Sequence, residues 1–321
     1  MLWAVQEMTI NGQPKRVTAD YGYSKLTSRV EAIIYQKNVP GETFAHRYLY
    51  DADNRLEQVL VSRTPESADS WHQVAKYEYY LHGPLKNKQL GDYIQKVDYV
   101  YNINGWLKAI NNPAGGVLAQ SDADGNFAQD VFSEALNYYS GDYNRSGTGF
   151  VEGGQPSEDA PPPQPFGSPQ GSGSNDLSNF NGSRDLFSGN ISSTVTRTAF
   201  SQAGMENGDV MAQTYRYDLL NRFVSSKTAT GSSIADVTSM AGNAYSVNVT
   251  YDANSNITTL SRTTGDGALL DQMTYRYATK VFDDKTMKLN NRLLHVNDAV
   301  NTPGIGTDME DQGAYTPNNA A

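Results

Sequence analysis

The sequence predicts an all-β protein in which antiparallel hairpin repeats join into a continuous, curved, spiralling sheet. Three observations predict it. Tyrosines recur in doublets at i and i+2, an Asp followed by turn residues often comes next, and most windows alternate with a period of two. Residues i and i+2 share one face of a strand, so each doublet marks a strand rather than a helix.

The clearest unit runs Tyr48-Leu-Tyr50-Asp51-Ala-Asp53-Asn54-Arg55-Leu56, and a second runs Tyr215-Arg-Tyr217-Asp218-Leu-Leu-Asn221-Arg222-Phe223. A third, Val249-Thr-Tyr251-Asp252-Ala-Asn254-Ser255-Asn256-Ile257, lacks the first tyrosine. Looser copies lie at Tyr21/Tyr23, Tyr77/Tyr79, Tyr99/Tyr101 and Tyr275/Tyr277. The Asp can accept a backbone hydrogen bond two residues on and start a turn. Asn or Gly a few positions later tolerates positive φ, and the chain then resumes as a strand with Arg and an apolar residue. One unit is therefore strand, tight turn, strand. A lone hairpin is marginal in water, so units must pair with their neighbours.

The spacing is uneven. From Tyr101 to Tyr217 is 116 residues, too long for one unit. That gap holds Ala160-Pro161-Pro162-Pro163-Gln164-Pro165 and Gly171-Ser172-Gly173-Ser174, with few apolar anchors to repay ordering entropy. The organisation expected is a repeat block at 1–143, a flexible Pro/Gly/Ser-rich insertion at 144–183, a second repeat block at 184–302 and a disordered tail at 303–321. Helical signal is weak: Asp130–Leu136 could form two turns, and most other windows favour a period of two.

Composition sets limits on function. Of 321 residues 38 % are hydrophobic and 19 % charged, with 21 Tyr against 10 Phe, which suits polar sheets and turns rather than charge-rich disorder. The net charge of −10 argues against nucleic acid or an anionic membrane as partner. With no cysteine, disulfides, thiolate catalysis and cysteine-based zinc sites are excluded. No run of about 18 apolar residues could span a bilayer as a helix. The start, MLWAVQEMTINGQPKRV, has no basic-then-apolar leader pattern, which favours an internal piece of a longer protein.

These units resemble the YD-repeat, or Rhs, family. The pattern Y-x-Y-D-x-x-N/G-R-L is matched at residues 48–56 and nearly at 215–223. The fullest match, Val97-Asp98-Tyr99-Val100-Tyr101-Asn-Ile-Asn104-Gly105-Trp106-Leu107-Lys108-Ala-Ile110-Asn111, is similar to Rhs chains of Bacteroidetes type, as is Tyr138-Tyr139-x-Gly141-Asp142-Tyr143. Leu186-Phe187-Ser-Gly189-Asn190-Ile191 is a further element of this kind. The resemblance covers about residues 20–143 and 184–298. Phe223, Ser255 and Val249 depart from the usual Leu, Gly and Tyr. The resemblance implies a sheet that winds into a hollow cocoon, secreted or at the cell surface, which encloses or presents a C-terminal cargo domain. Its partners would be the rest of its own shell and that cargo. Complete members close the shell with a C-terminal core, often self-cleaving at an aspartate. No such segment is recognised before Ala321, so neither cleavage nor toxicity carries over.

The signature residues are thus Tyr48, Tyr50, Asp51, Asn54, Arg55, Leu56, Tyr99, Tyr101, Gly105, Trp106, Tyr215, Tyr217, Asp218, Asn221, Arg222, Tyr251 and Asp252, all assigned structural roles. No catalytic, cofactor or metal residue is assigned. Asp122-Ala-Asp124-Gly125-Asn126 fails the calcium-loop pattern, because Phe127 and Ser133 stand where Gly and Glu are required, and reads as a hairpin turn. His46, His72, His82 and His295 have no metal spacing. Two other readings stay open. One is an adhesin contacting cell-surface glycan or protein through Tyr and Trp, with Trp106 as a sugar-stacking candidate against its role as a seam residue. The other is a glycosidase, which would need a buried carboxylate pair in a deep pocket.

Overall fold

The computed structural model describes residues 2–10, 12–111, 127, 130–139, 142, 185–198, 210–231, 238–239, 243–282 and 285–300. The insertion expected at 144–183, the tail at 303–321 and the Asp122–Asn126 turn lie outside them. The described chain is all-β and antiparallel, with a short 3-10 turn at Ala68–Ser70. Its strands are β1 Leu2–Ile10, β2 Gln13–Tyr23, β3 Val30–Tyr35, β4 Phe44–Tyr50, β5 Leu56–Ser62, β6 His72–Tyr79, β7 Leu85–Leu90, β8 Gln95–Tyr101 and β9 Leu107–Ile110. There follow β10 Phe132–Asn137, β11 Ser193–Thr198, β12 Val210–Tyr217, β13 Phe223–Gly231, β14 Thr238–Ser239, β15 Val247–Tyr251, β16 Ile257–Thr263, β17 Leu269–Phe282 and β18 Lys285–Asp298.

Two compact units are present: Met1–Tyr101 with Ala109–Val131, and Asn102–Lys108 with Phe132–Ala321. In the first, each strand from β1 to β8 pairs with the next. In the second, the ladder runs from β10 to β13, then through β14 and β15 to β18. This sequential pairing is what hairpin repeats dictate, because each strand finds its partner across the turn just made.

The weak helical signal over Asp130–Leu136 is not realised. Phe132–Asn137 is strand β10, in register with β11 from Phe132↔Thr198 to Asn137↔Ser193. Pairing with a distant strand outweighs local propensity in so short a window.

The buried layer is built from small side chains. Ala135, Val195, Ala212 and Ala229 form one row across β10 to β13, each directly opposite the next, and all are fully buried. Small residues let strands stack closely but bury little apolar area, so hydrogen bonds carry much of the specification. Buried polar residues Asn137, Ser193, Thr214 and Ser226 lie on the same four strands, and Ser62 and Asn87 are buried within the first unit.

Candidate functional site

The repeat itself is the site, and its turn comes first. The backbone N–H of Asp51 donates to the Arg55 carbonyl at 2.9 Å, and that of Asn54 donates to the Asp51 carbonyl at 3.0 Å. Asn54 has φ 62°. This is a three-residue hairpin loop: a type I turn closed by a left-handed residue that makes a bulge. The same pair of backbone bonds recurs from Asp218 with Asn221 at φ 59°, from Asp252 with Ser255 at φ 68°, and from Asn102 with Gly105 at φ 77°. It recurs again from Tyr80 with Gly83 and from Thr264 with Gly267. In six of the described hairpins the register shifts at a tyrosine of the strand that precedes the turn: Gly22/Tyr23, Leu49/Tyr50, Glu78/Tyr79, Arg216/Tyr217, Thr250/Tyr251 and Arg276/Tyr277.

The aspartate locks the loop. Asp51 Oδ1 accepts from the Arg55 backbone at 2.8 Å and Oδ2 from Arg55 Nε at 2.7 Å. Asp218 holds Arg222 in the same way, at 3.0 and 2.7 Å. Hydrogen bonds from Arg222 hold the Asp218 carboxyl below the usual range. At Asp51 burial pushes upward, but backbone and side-chain bonds from Arg55 outweigh it and the net direction is again down.

The second tyrosine then reaches back to the preceding hairpin. Tyr79 Oη donates to the Leu56 carbonyl at 2.9 Å, and Tyr251 Oη to the Phe223 carbonyl at 2.6 Å. Tyr50 ties to Val30 at 2.8 Å, Tyr138 to Leu107 at 2.8 Å, Tyr217 to Ile191 at 3.1 Å and Tyr277 to Ile257 at 2.8 Å. In most cases the acceptor is the first residue of the strand that follows a turn. In three of the six the residue just before that acceptor is an arginine that covers the tyrosine ring. Arg29 lies over Tyr50 at 5.3 Å, Arg55 over Tyr79 at 4.4 Å and Arg222 over Tyr251 at 4.6 Å. Each pairing is a cation on an aromatic face. Arg222 Nη1 also donates to the Asp252 carbonyl at 3.2 Å and Ser255 Oγ at 3.0 Å, so one turn is bonded to the next.

Two variants make the logic plain. Trp106 occupies the arginine position after Gly105, and its ring packs on Tyr138 at 5.0 Å, while Tyr138 ties to Leu107. Trp106 is therefore engaged at a seam between elements and packed close to Gly189. The Asp252 unit has Asn256 in place of arginine. Here Lys288, from β18, supplies the cation: its Nζ donates to Asp252 Oδ2 at 2.5 Å and lies 3.7 Å from the Tyr277 ring centre. That bond is the chief cause holding the Asp252 carboxyl far below the usual range.

The remaining signature residues support this frame. Tyr48 stacks on His46 at 6.2 Å. Tyr99 gives its carbonyl to Tyr80 Oη at 2.9 Å, and Tyr101 meets the Tyr80 ring edge-on at 6.4 Å. Tyr215 Oη donates to Gln213 Oε1 at 2.9 Å, and its pKa is pushed up by burial. Sequence reasoning missed Lys288, Arg29 and the hydroxyl ties, because each depends on a partner at least 20 residues away. Among the described residues no group of three or more His, Cys, Asp or Glu could hold a metal ion, and no helix is long and apolar enough to cross a membrane.

No protein-family model and no curated protein sequence matches the chain. Solved structures that resemble it include the Photorhabdus luminescens Tc holotoxin pore, at 10 % identity, TM-score 0.26 and 91 % of this chain. The TcdB2–TccC3–Cdc42 complex gives 10 %, 0.27 and 88 %, and TcdB2–TccC3 gives 9 %, 0.27 and 89 %. The chain spans only 15 %, 14 % and 16 % of those chains' lengths.

Proposed function

We propose that this chain is a structural shell segment of a YD-repeat, Rhs-type protein, secreted or at the cell surface, which encloses or presents a C-terminal effector domain outside this sequence. The observation that supports it most is the recurring tie. Asp51 and Asp218 lock their own turns through Arg55 and Arg222, and those arginines with the second tyrosines join one hairpin to the next. On this reading the chain is non-catalytic, and its partners are neighbouring turns of the same shell and the cargo within.

The test uses the complete encoded protein. Limited proteolysis should leave the C-terminal effector intact at protease levels that digest the same domain released from its shell. Equal digestion of both would refute the reading. Saturable, specific binding of the purified chain on a glycan array would favour the adhesin instead.

A further inference from the structure

One buried cluster plays no part in the repeat ties. Lys108 on β9, Asn137 at the end of β10 and Asp142 lie in the same compact unit, at 2 %, 0 % and 5 % exposure. Lys108 Nζ is 2.7 Å from Asn137 Oδ1 and 2.8 and 2.9 Å from the two Asp142 carboxylate oxygens. Asn137 Nδ2 donates to Ser193 Oγ at 3.1 Å, which turns the amide oxygen toward the lysine. The Tyr138 backbone N–H donates to Asp142 Oδ2 at 2.9 Å and fixes the carboxylate.

A lysine this deep is costly unless its charge is matched or removed. Burial pulls the Lys108 amine below its ordinary value, against the pull of Asp142 in the other direction. Passing one proton from Nζ to Asp142 gives a neutral amine beside a neutral acid, both suited to a dry site. The amine then faces an amide whose orientation is already fixed, as a near-attack geometry requires.

We propose that Lys108 and Asn137 form an intramolecular isopeptide bond, with Asp142 carrying the proton. Nζ attacks Asn137 Cγ; the Nζ–Cγ bond forms and the Cγ–Nδ2 bond breaks. Asp142, already holding the first proton from Nζ, delivers it to Nδ2, which leaves as ammonia, and takes the second proton from Nζ as the amide forms. One amide replaces another, so no oxidant, cofactor or energy source is required. The product is a covalent staple between β9 and the end of β10.

The test is the intact mass of the purified 321-residue chain. The expected mass is below the sequence mass by one ammonia, and tandem spectra should contain a branched peptide joining Lys108 to Asn137. Lys108→Arg keeps a cation but removes the nucleophile, and Asp142→Ala removes the proton carrier; both should restore the full mass. The wild-type chain decides the matter even if a variant fails to fold. Full sequence mass in the folded wild-type chain would overturn the proposal and leave a buried ion pair. So would loss of one water, which would place the bond on Asp142. So would an ammonia loss that persists in Lys108→Arg, which would mark a succinimide at a site such as Asn104-Gly105.

Discussion

Tyr79 donates its hydroxyl to the carbonyl of Leu56 at 2.9 Å, while Arg55, the residue just before Leu56, covers the Tyr79 ring at 4.4 Å. One tyrosine therefore holds the start of the preceding strand by two contacts, one polar and one through its face. Tyr251 does the same at Phe223 and Arg222. Tyr79→Phe and Tyr251→Phe keep the ring and lose only the hydroxyl. Each should cost about 0.5–1.5 kcal/mol, the net worth of one hydrogen bond. Urea midpoints at unchanged slope would show this. A cost near zero would mean that water replaces the tie freely.

The left-handed positions in the turns make a second prediction. Asn54 and Asn221 sit at φ 62° and 59°. A side chain with Cβ pays about 1–2 kcal/mol there, and Asn softens this by local hydrogen bonding. Asn221→Gly should be neutral or slightly stabilising, whereas Asn221→Ala should destabilise by about 1 kcal/mol. Thermal melts of the two variants should bracket the wild-type chain.

Stability should fall at both ends of the pH scale. Asp51, Asp218 and Asp252 all have lowered folded pKa values, the first despite opposing burial and the others chiefly through bonds from Arg222 and Lys288. Their contribution is complete above the unfolded aspartate value of about 3.9 and is lost as pH falls through the lower folded values. Tyr79, Tyr138, Tyr217 and Tyr277 are raised, in each case first by burial. Their contribution is complete below the unfolded value of about 10 and is lost as pH rises through the folded ones. Chemical denaturation should give a plateau between about pH 5 and 9, and Asp218→Asn should flatten the acid limb. Tyrosinate absorbance should rise together with unfolding rather than before it.

Much of this architecture can be read from the chain because the turn is local. The Asp, the left-handed Asn or Gly and the Arg lie within five residues, and their hydrogen bonds follow from backbone geometry. The strand faces follow from the doublets. The hydroxyl ties were hidden, since the carbonyl that Tyr138 bonds lies 31 residues back, at Leu107. The weak helical signal at Asp130–Leu136 is overridden for a related reason: Ala135 and Leu136 pair with β11, across a long intervening segment. Lys108 was visible only as part of a family-like stretch, because its partners Asn137 and Asp142 come together through the fold alone.

The degenerate unit at Asp252 gives the sharpest test of the repeat logic. Asn256 cannot supply a cation, and Lys288 from β18 takes over both duties, bonding Asp252 and covering Tyr277. Lys288→Ala should then cost about 0.5–1 kcal/mol, the worth of a cation on an exposed aromatic face. Asn256→Arg restores the Asp–Arg pairing of the other two units and places a guanidinium where Arg55 and Arg222 sit in them. In that background Lys288→Ala should cost much less, because the arginine holds Asp252 and Tyr277 by itself. The coupling between the two changes, read from a double-mutant cycle in urea, should therefore be favourable. Strict additivity would mean that Lys288 does not stand in for the missing arginine, and that the unit at Asp252 is held by its backbone turn and the Asn256 amide.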